Sequence, residues 1–526
     1  MKALELAKRF FLSRLVIKVL TVTLFFLMAL PAMKSVVDGL LKAALVWGGV
    51  QILADLLTKR SCLRARHAAW LILVLLCGAV SVLLNYRTGF KENVSTLCYA
   101  ALGILVLYPN DETRGREALL REMRVIGWVY IGLCAAGAAV SLYMLLANYE
   151  AVMEYGGTVY HIGIHGGRLF GVFSNPNLPV CAVASALCPL QFYLCREITR
   201  RRGTLPVQYL CLGIGALLNL LFLLLAQSRG SLLAFLAFLG VLLFFLFRKT
   251  IFSRIPRLPL SALASAALSA VVLAAAVLVY PAFLQTSDRL LTAYYAEQQP
   301  PEEASSAVSG VSLRTPAVSG RSHETARPSA AVLDTAPLAL RKTAAEDDGA
   351  SLIVRPDNQT DVTSGRAGLW KVAVERFLEK PVWGWGHAGS LENVSTHGVP
   401  IEHYHNLFFH SLVAGGAMGT AALAAALAAM ALSMVRFVWK NRRAAGFRNG
   451  YIYAGMGLFL LYLVDNMVEV FLLYNVSLPQ FVFWIYMGYL LALITAGEPR
   501  NRVDRLLCRL ADRVPALGRR RRAGEA

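Results

Sequence analysis

Long apolar runs alternate with short polar connections along the chain. Twelve apolar segments lie near residues 15–33, 38–57, 68–85, 94–108, 125–147, 177–195, 207–226, 231–247, 260–283, 405–435, 450–471 and 477–496. Most of them approach the roughly 20 apolar residues that a helix needs to cross a bilayer. The pattern therefore predicts an all-α, polytopic integral membrane protein with about twelve transmembrane helices.

The charges between these segments predict the topology. Every second connection is rich in Lys and Arg: 1–14, 58–67, 114–124, 196–202, 248–257, 436–448 and the C-terminal tail. An excess of Lys and Arg marks the cytoplasmic loops of membrane proteins. We therefore expect both termini in the cytoplasm and two long outer loops, 148–176 and 284–404. The formal charge of +20 in a chain that is 57% hydrophobic then reflects topology, and no nucleic-acid partner is expected.

The same spacing predicts four parts. They are a transmembrane bundle of spans one to nine (1–283), an extracytoplasmic loop (284–404), spans ten to twelve (405–496) and a basic cytoplasmic tail (497–526). Within the loop, 296–360 is rich in Ala, Ser, Thr, Pro and acidic residues, and is predicted to be disordered because it has little apolar surface to bury. Residues 365–380 instead carry apolar positions at helical spacing, which predicts an amphipathic helix on the outer membrane surface.

Few basic residues remain on the predicted outer side. Arg168 precedes the sixth span, Arg229 lies in the turn between the seventh and eighth, and Arg366 opens the amphipathic helix. A guanidinium beside lipid is costly unless it faces water, a partner or an anion, and its planar fork suits phosphate oxygens. Together the three suit an anionic lipid headgroup such as a lipid-linked diphosphate. The alternative is that each extends separately to phospholipid headgroups.

Histidines and acids complete the outer chemistry. His405 begins the tenth span, where it could serve as a base or as an interface anchor. Asp465 and Glu469 are four residues apart near the end of the eleventh span, so in a helix they would lie on the same face. His161 and His165 have metal-ligand spacing, but in a glycine-rich stretch without a carboxylate following. No outer acidic cluster suits a divalent ion, and none of the nine cysteines forms a C-x-x-C pair. We therefore expect no metal.

Four stretches resemble motifs of the O-antigen ligases and the related polymerases of lipid-linked glycans. "HNLFFHSLVAGGAMG" matches a His-Asn-x₉-Gly-x₂-Gly pattern through His405, Asn406, Gly416 and Gly419. "GRAGLWKVAVERFLEKPVWGWG" resembles the Gly-Arg opening of the loop helix and the later Pro and Gly-x-Gly, through Gly365, Arg366, Trp370, Pro381, Gly384 and Gly386. "RLFGVFSNPNLPV" and "QSRGSLLAF" resemble two shorter motifs, through Arg168, Gly171, Asn175, Asn177, Ser228, Arg229 and Gly230.

The resemblance implies a transferase in the bacterial cytoplasmic (inner) membrane that uses no metal or cofactor. Its donor would be a glycan on a polyprenyl diphosphate, and its acceptor a hydroxyl of a glycan, a lipid or a cell-wall polymer. His405 would take the acceptor proton, while Arg229 and Arg366 would hold the diphosphate. The residues assigned to substrate binding are Arg168, Asn175, Asn177, Trp370, Asn406 and Asp465. Asp465 or Glu469 would orient His405 or pair with an arginine, helix packing being the alternative.

Three other functions compete with a ligase. A polymerase joining lipid-linked repeat units would use the same motifs, so the sequence does not separate the two. A transporter for an anion or a lipid-linked sugar would line a route with charges, yet the spans before the tenth contain few besides Lys18, Lys42 and Asp55. A scaffold binding partners through its large loop would leave the placement of His405 without a reason.

Overall fold

The computed structural model describes residues 10–513 except 111–113, 157, 200–201, 256, 299–365, 393, 397–398, 445 and 448. The first eight α-helices in it are α1 (Arg14–Met28), α2 (Lys34–Leu57), α3 (Ser61–Arg64), α4 (Ala68–Leu84), α5 (Phe90–Ala101), α6 (Arg116–Leu146), α7 (Val180–Ile198) and α8 (Leu205–Ala226). They are followed by α9 (Arg229–Lys249), α10 (Leu258–Gln298), α11 (Arg366–Glu379), α12 (Gly386–Leu391), α13 (Leu407–Lys440), α14 (Gly450–Asp465), α15 (Leu478–Ile494) and α16 (Arg502–Arg513).

Many of these helices are long and apolar enough to cross a membrane. By length and composition, seven segments of the described chain qualify: Pro31–Leu57, Phe90–Leu107, Arg116–Leu146, Leu205–Ala226, Arg229–Lys249, Leu258–Glu297 and Leu407–Lys440. Three shorter apolar helices are α4, α14 and α15. Because backbone groups in lipid must pair within the chain, helices are the expected spanning structure. The prediction of an all-α polytopic membrane protein is confirmed.

The helix ends differ from the predicted boundaries in several places, of which four bear on the fold or the site. A π-helix, Leu102–Leu107, completes the short fourth segment after α5. Helix α10 continues to Gln298, well beyond position 283, and α13 runs from Leu407 to Lys440 with a break inside it. Helix α14 ends at Asp465, before the predicted limit of 471. This early end was not expected, although the Glu469 N–H still donates to the Asp465 carbonyl at 2.9 Å.

A small antiparallel sheet, also not predicted, fills the 148–176 loop. Strands β1 (Glu150–Tyr155), β2 (Thr158–His165) and β3 (Arg168–Gly171) pair in the order β1-β2-β3. Exposure alternates along β1, as expected for a strand with one face towards the protein. Two short strands, β4 (Ser395–Thr396) and β5 (Val399–Pro400), also pair with each other.

The core is arranged around α15, which is apolar on all sides and buried along almost its whole length. Helix α9 packs against α14 and α10, and α13 packs against α4, α11 and α12. Polar contacts join the predicted cytoplasmic connections at one end: Arg64 pairs with Asp512 at 2.5 Å, and Lys440 pairs with Glu498 at 2.5 Å. The candidate site residues lie on connections at the other end.

Two predicted regions fall partly outside the described residues. Of the 296–360 segment, the structure describes only 296–298, which end α10. Of the basic tail, the residues beyond 513 lie outside the described part. Helix α11 occupies Arg366–Glu379, within the stretch where an amphipathic helix is predicted. Its position on a membrane surface stays a prediction.

Candidate functional site

Asn406 organises the polar start of α13. It is the N-cap of the helix, and its side-chain oxygen accepts from the backbone N–H groups of Phe408 (2.9 Å) and Phe409 (3.2 Å). Its amide nitrogen donates to the carbonyl of Met467 at 2.9 Å. Asn406 is 3% exposed. We expected it to bind substrate, but its side chain instead joins the start of α13 to the segment after α14.

Asn466 builds the turn that follows α14. Its amide nitrogen donates to the carbonyl of Tyr462 at 2.8 Å, and its oxygen accepts from the backbone N–H groups of Phe471 (2.8 Å) and Leu472 (3.2 Å). Its carbonyl accepts the N–H of Leu407 at 2.9 Å. These bonds support the turn after α14, in which the Glu469 N–H still donates to the Asp465 carbonyl at 2.9 Å, and they hold Glu469 opposite the start of α13.

Glu469 connects the two predicted catalytic groups His405 and Arg366. One carboxylate oxygen lies 3.0 Å from Nδ1 of His405, and the other accepts from the Arg366 guanidinium at 3.1 Å. Glu469 is 4% exposed, whereas the His405 side chain is one-third exposed. Because a carboxylate only accepts, the neutral His405 carries its proton on Nδ1 and keeps a lone pair on Nε2. Among the described residues, Nε2 has no hydrogen-bond partner.

The backbone of His405 is strained. Its φ of +48° lies in the left-handed region, which side chains other than glycine rarely occupy. The N–H of His405 donates to Nδ1 of His403 at 3.2 Å, which helps to hold this conformation. Such strain persists only where the surroundings enforce it, and it is concentrated at active sites. The conformation fits a functional position for the imidazole.

His403, His405 and Glu469 are also the group of described residues best placed to hold a metal ion, with their ligand atoms within 4.8 Å of one another. Burial lowers the pKa of His403 to about 4, so the ring is neutral near pH 7. Its Nδ1 accepts the backbone N–H of His405, which leaves the proton on Nε2, 3.6 Å from Glu469. A metal would need that Nε2 deprotonated, and it would approach the cation of Arg366. The donor set therefore suits proton transfer better than metal binding.

Trp370 fixes α11 against the segment before α13. Its indole N–H donates to the carbonyl of Tyr404 at 3.1 Å, and its ring stacks on Phe409 with an interplanar angle of 14°. These contacts give Trp370 a packing role beside the site, and its substrate binding stays a prediction. They hold α11 so that Arg366, four residues before Trp370, lies near His405.

A break in α13 receives the loop that follows α11. Gly416 has a φ of +63°, and the loop bonds to the freed backbone: Trp385 N–H to Val413 O, Ala417 N–H to Pro381 O and Met418 N–H to Val382 O, at 2.8–3.2 Å. A Cβ on Gly416 would lie 2.3 Å from the Val382 carbonyl, and one on Gly384 would lie 2.5 Å from the Val413 carbonyl. Both glycines are needed for this close approach. The interlock ties the Arg366 helix to the His405 helix.

Arg168 and Arg229 lie on neighbouring segments. The Arg168 guanidinium donates to the carbonyl of Ala226 (3.0 Å) and to the side-chain oxygen of Asn177 (2.8 Å). Arg229 is exposed and follows Ser228, the N-cap of α9. Because Ala226 is only three residues before Arg229, the bond from Arg168 places both arginines in one region of the protein.

A glycine connects this region to the His405 side of the site. A Cβ on Gly230 would lie 2.7 Å from the side chain of Val468, so the start of α9 abuts the residue before Glu469. The four motifs that are far apart in sequence therefore converge on one end of the helical bundle.

The remaining predicted residues differ in their surroundings, and one residue was not predicted. Asp465 is completely buried near Glu469 and Arg366, and its carboxylate has no hydrogen-bond partner among the described residues. Asn175 is exposed on a polar cavity of about 300 Å³ that also reaches His403 and Glu469. Lys34, which lines that cavity, was not among the predicted site residues. It could have been found as an isolated lysine in a predicted outer connection.

A comparison with known protein families finds a match over part of the helical bundle and the loop helix. The sequence profile described as O-antigen ligase matches residues 214–424, which contain Arg229, Arg366, His405 and Gly416. No curated protein matches the chain. The family acts on lipid-linked glycans, and with the spanning helices it indicates a multi-pass protein of the bacterial inner membrane. The resemblance seen in the sequence is confirmed over residues 214–424, which are similar to the O-antigen ligase family.

Proposed function

We propose that this protein transfers a glycan from a polyprenyl diphosphate to an acceptor hydroxyl at the outer face of the inner membrane, without a metal. The observation that carries the proposal is the bridge formed by Glu469 between His405 and Arg366. It places a proton acceptor next to a cation suited to phosphate. The family match supports the processing of lipid-linked glycans in general.

His405 is the proposed base. Its Nε2 removes the proton of the acceptor hydroxyl as the new bond forms between that oxygen and the anomeric carbon. The bond from this carbon to the diphosphate oxygen breaks in the same step, and its electron pair leaves with the diphosphate. One displacement inverts the anomeric configuration. Glu469 keeps the proton of the neutral ring on Nδ1 and stabilises the imidazolium that forms.

The arginines are the proposed diphosphate ligands. Arg366 is half-buried beside Glu469, and we assign the exposed Arg229 to the same diphosphate with Arg168 as a supporting donor. Charge accumulates on the phosphates as the glycosidic bond breaks, so fixed cations stabilise the transition state more than the ground state. Because diphosphate is a good leaving group, no general acid is required.

The orientation rests on the distribution of charge. Basic connections gather at one end of the helices, where Arg64 contacts Asp512 and Lys440 contacts Glu498. The excess of Lys and Arg there favours the cytoplasm for that end, and thus the opposite leaflet for His405.

A polymerase would use the same chemistry with a second lipid-linked glycan as acceptor. The two reactions differ in their products, because a ligase makes one transfer per acceptor and a polymerase makes a ladder of lengths.

The test is transfer by the purified protein in proteoliposomes. The donor is the polyprenyl-diphosphate glycan extracted from the bacterium that carries this chain, the acceptor is its membrane glycolipid fraction, and EDTA is present. We expect the wild-type protein to form product and His405→Ala to form none while folding normally. His165→Ala is the matched control, because His165 is on the same side but pairs with Glu150 at 2.9 Å. Normal transfer by His405→Ala would exclude the base, and dependence on a metal would exclude the metal-free reaction.

A further inference from the structure

A polar cavity opens beside the proposed base. It has a volume of about 300 Å³ and extends between the start of α2, strand β2, the segment before α7 and the segment before α15. One wall consists of His403 and Glu469. Since Glu469 also contacts His405 at 3.0 Å, the cavity ends one side chain away from the proposed proton acceptor.

Lys34 is the cation of this cavity. It donates to the hydroxyl of Tyr160 at 2.7 Å, and its ammonium lies 3.9 Å from the centre of the Tyr160 ring. Within the described part of the chain, Lys34 forms no ion pair. It is also the first residue of α2, whose first turn has no acid, so its charge opposes the positive end of the helix dipole. This unfavourable placement points to a role in ligand binding.

The rest of the lining is rich in hydrogen-bonding groups. It includes the side chains of Thr158, Ser174, Asn175, Glu402, Asn475 and Ser477. The hydroxyl of Ser477 is buried and has no hydrogen-bond partner in the described structure. Buried polar groups are normally paired, so the unpaired hydroxyl adds an unsatisfied polar group beside the cavity. A ring with many hydroxyl groups would match these mixed donors and acceptors, whereas a lipid chain would leave them unpaired.

We propose that this cavity binds a sugar unit of a glycan substrate, with Lys34 and Tyr160 as residues that determine its specificity. The inference rests on the proposed transfer function and adds the location of the glycan. Lys34 and the Tyr160 hydroxyl would donate to oxygens of the sugar, and the amides of Asn175 and Asn475 would pair with its hydroxyl groups. The diphosphate would lie outside the cavity, with the arginines.

The experiment measures equilibrium binding to the full-length His405→Ala protein in nanodiscs, where no turnover occurs. Three probes are used: undecaprenyl diphosphate, the glycan released by mild acid from the extracted lipid-linked donor, and the glycan released from the membrane glycolipid acceptor. Adding Lys34→Ala should weaken binding of one released glycan about tenfold, the size of one charge-assisted hydrogen bond, with undecaprenyl diphosphate unchanged. Lys42→Ala is the control, because Lys42 is on the same helix but exposed and paired with Asp38.

Tyr160→Phe provides a second variant that keeps the ring. It should weaken binding of the same glycan about threefold, because one hydroxyl group is lost. A loss confined to the donor glycan or to the acceptor glycan supports the proposal and identifies the source of the sugar. Unchanged binding of both glycans by Lys34→Ala and Tyr160→Phe overturns the subsite, and so does weaker binding of undecaprenyl diphosphate alone. If the parent protein binds none of the probes, the proposed function itself fails and the subsite with it.

Discussion

At the scale of single residues, the carboxylate of Glu469 has two tasks. One oxygen accepts from His405 Nδ1, and the other accepts from Arg366. The first contact selects the tautomer with a lone pair on Nε2, and the second places a guanidinium beside the same centre. A neutral amide has a single acceptor oxygen, so it would serve only one of these contacts.

We therefore expect Glu469→Gln to lower kcat by about 10²–10⁴-fold, because the charge that stabilises the His405 imidazolium is lost. Transfer in proteoliposomes under saturating donor would measure it. Glu379→Gln is the control, since Glu379 is exposed at the end of α11. A wild-type rate for Glu469→Gln would show that the Glu469 charge takes no part in the transfer reaction.

Two buried histidines make stability depend on pH. Burial lowers the pKa of both His403 and His387 to about 4, from 6.5. Between those values the unfolded chain binds more protons than the folded chain, so the free energy of unfolding falls as pH falls through this window. His403 faces Glu469, His405 and Arg366, and His387 faces His410 at 3.0 Å.

We expect acidification from about pH 7 to about pH 5 to remove roughly 2 kcal/mol of stability per histidine. Thermal unfolding of the purified protein in detergent at the two pH values would measure this loss. The loss should be smaller in His403→Asn and unchanged in His165→Ala. A wild-type stability that is constant or rises on acidification would contradict the pKa direction.

At the scale of elements, the break in α13 at Gly416 is the contact point with the loop after α11. The loop after α11 enters at Gly416 and bonds to backbone groups that the break exposes. Asn85 adds a bond to the Gly384 carbonyl at 2.9 Å, so α4 supports the same loop. Unpaired backbone groups are costly in lipid, and the loop satisfies them. This contact relates the helix carrying Arg366 to the helix carrying His405.

Gly416→Ala should therefore destabilise the protein by at least about 2 kcal/mol and lower transfer about tenfold or more, because its Cβ would meet a carbonyl at 2.3 Å. Gly419→Ala is a matched control in the same motif, since no atom lies within 4 Å of its Cβ position. It should be neutral or slightly stabilising. Equal melting temperatures and rates for the two variants would contradict the role of the interlock.

At the scale of the whole molecule, the polar connections separate into two groups. Basic connections meet at one end of the bundle, and the motif-bearing connections meet at the other. This division agrees with the alternation of charge along the sequence. If the basic end faces the cytoplasm, every proposed catalytic group faces the outer side.

Cysteine labelling tests this orientation. Glu154 on β1 and Arg443 after α13 are both exposed. We expect a membrane-impermeant maleimide to label Glu154→Cys on intact spheroplasts, and to label Arg443→Cys only after lysis, with the parent chain as background. The reverse labelling pattern would place His405 on the cytoplasmic side and would contradict the proposed reaction at the outer face.

The sequence by itself determined the apolar helices, the alternation of basic connections and the four motifs, because composition and spacing act locally. It also singled out His405, Arg366 and Arg229 as candidate site residues. It did not separate Glu469 from Asp465, since a helix continuing to 471 would have put both on one face. Only the tertiary structure bonds Glu469 to His405 and Arg366 while Asp465 stays buried. The Asn466 carbonyl accepts the N–H of the distant Leu407, and this contact holds the turn after α14 beside the start of α13. The break at Gly416 and the cavity at Lys34 likewise depend on contacts between segments far apart in the chain, which no local pattern encodes.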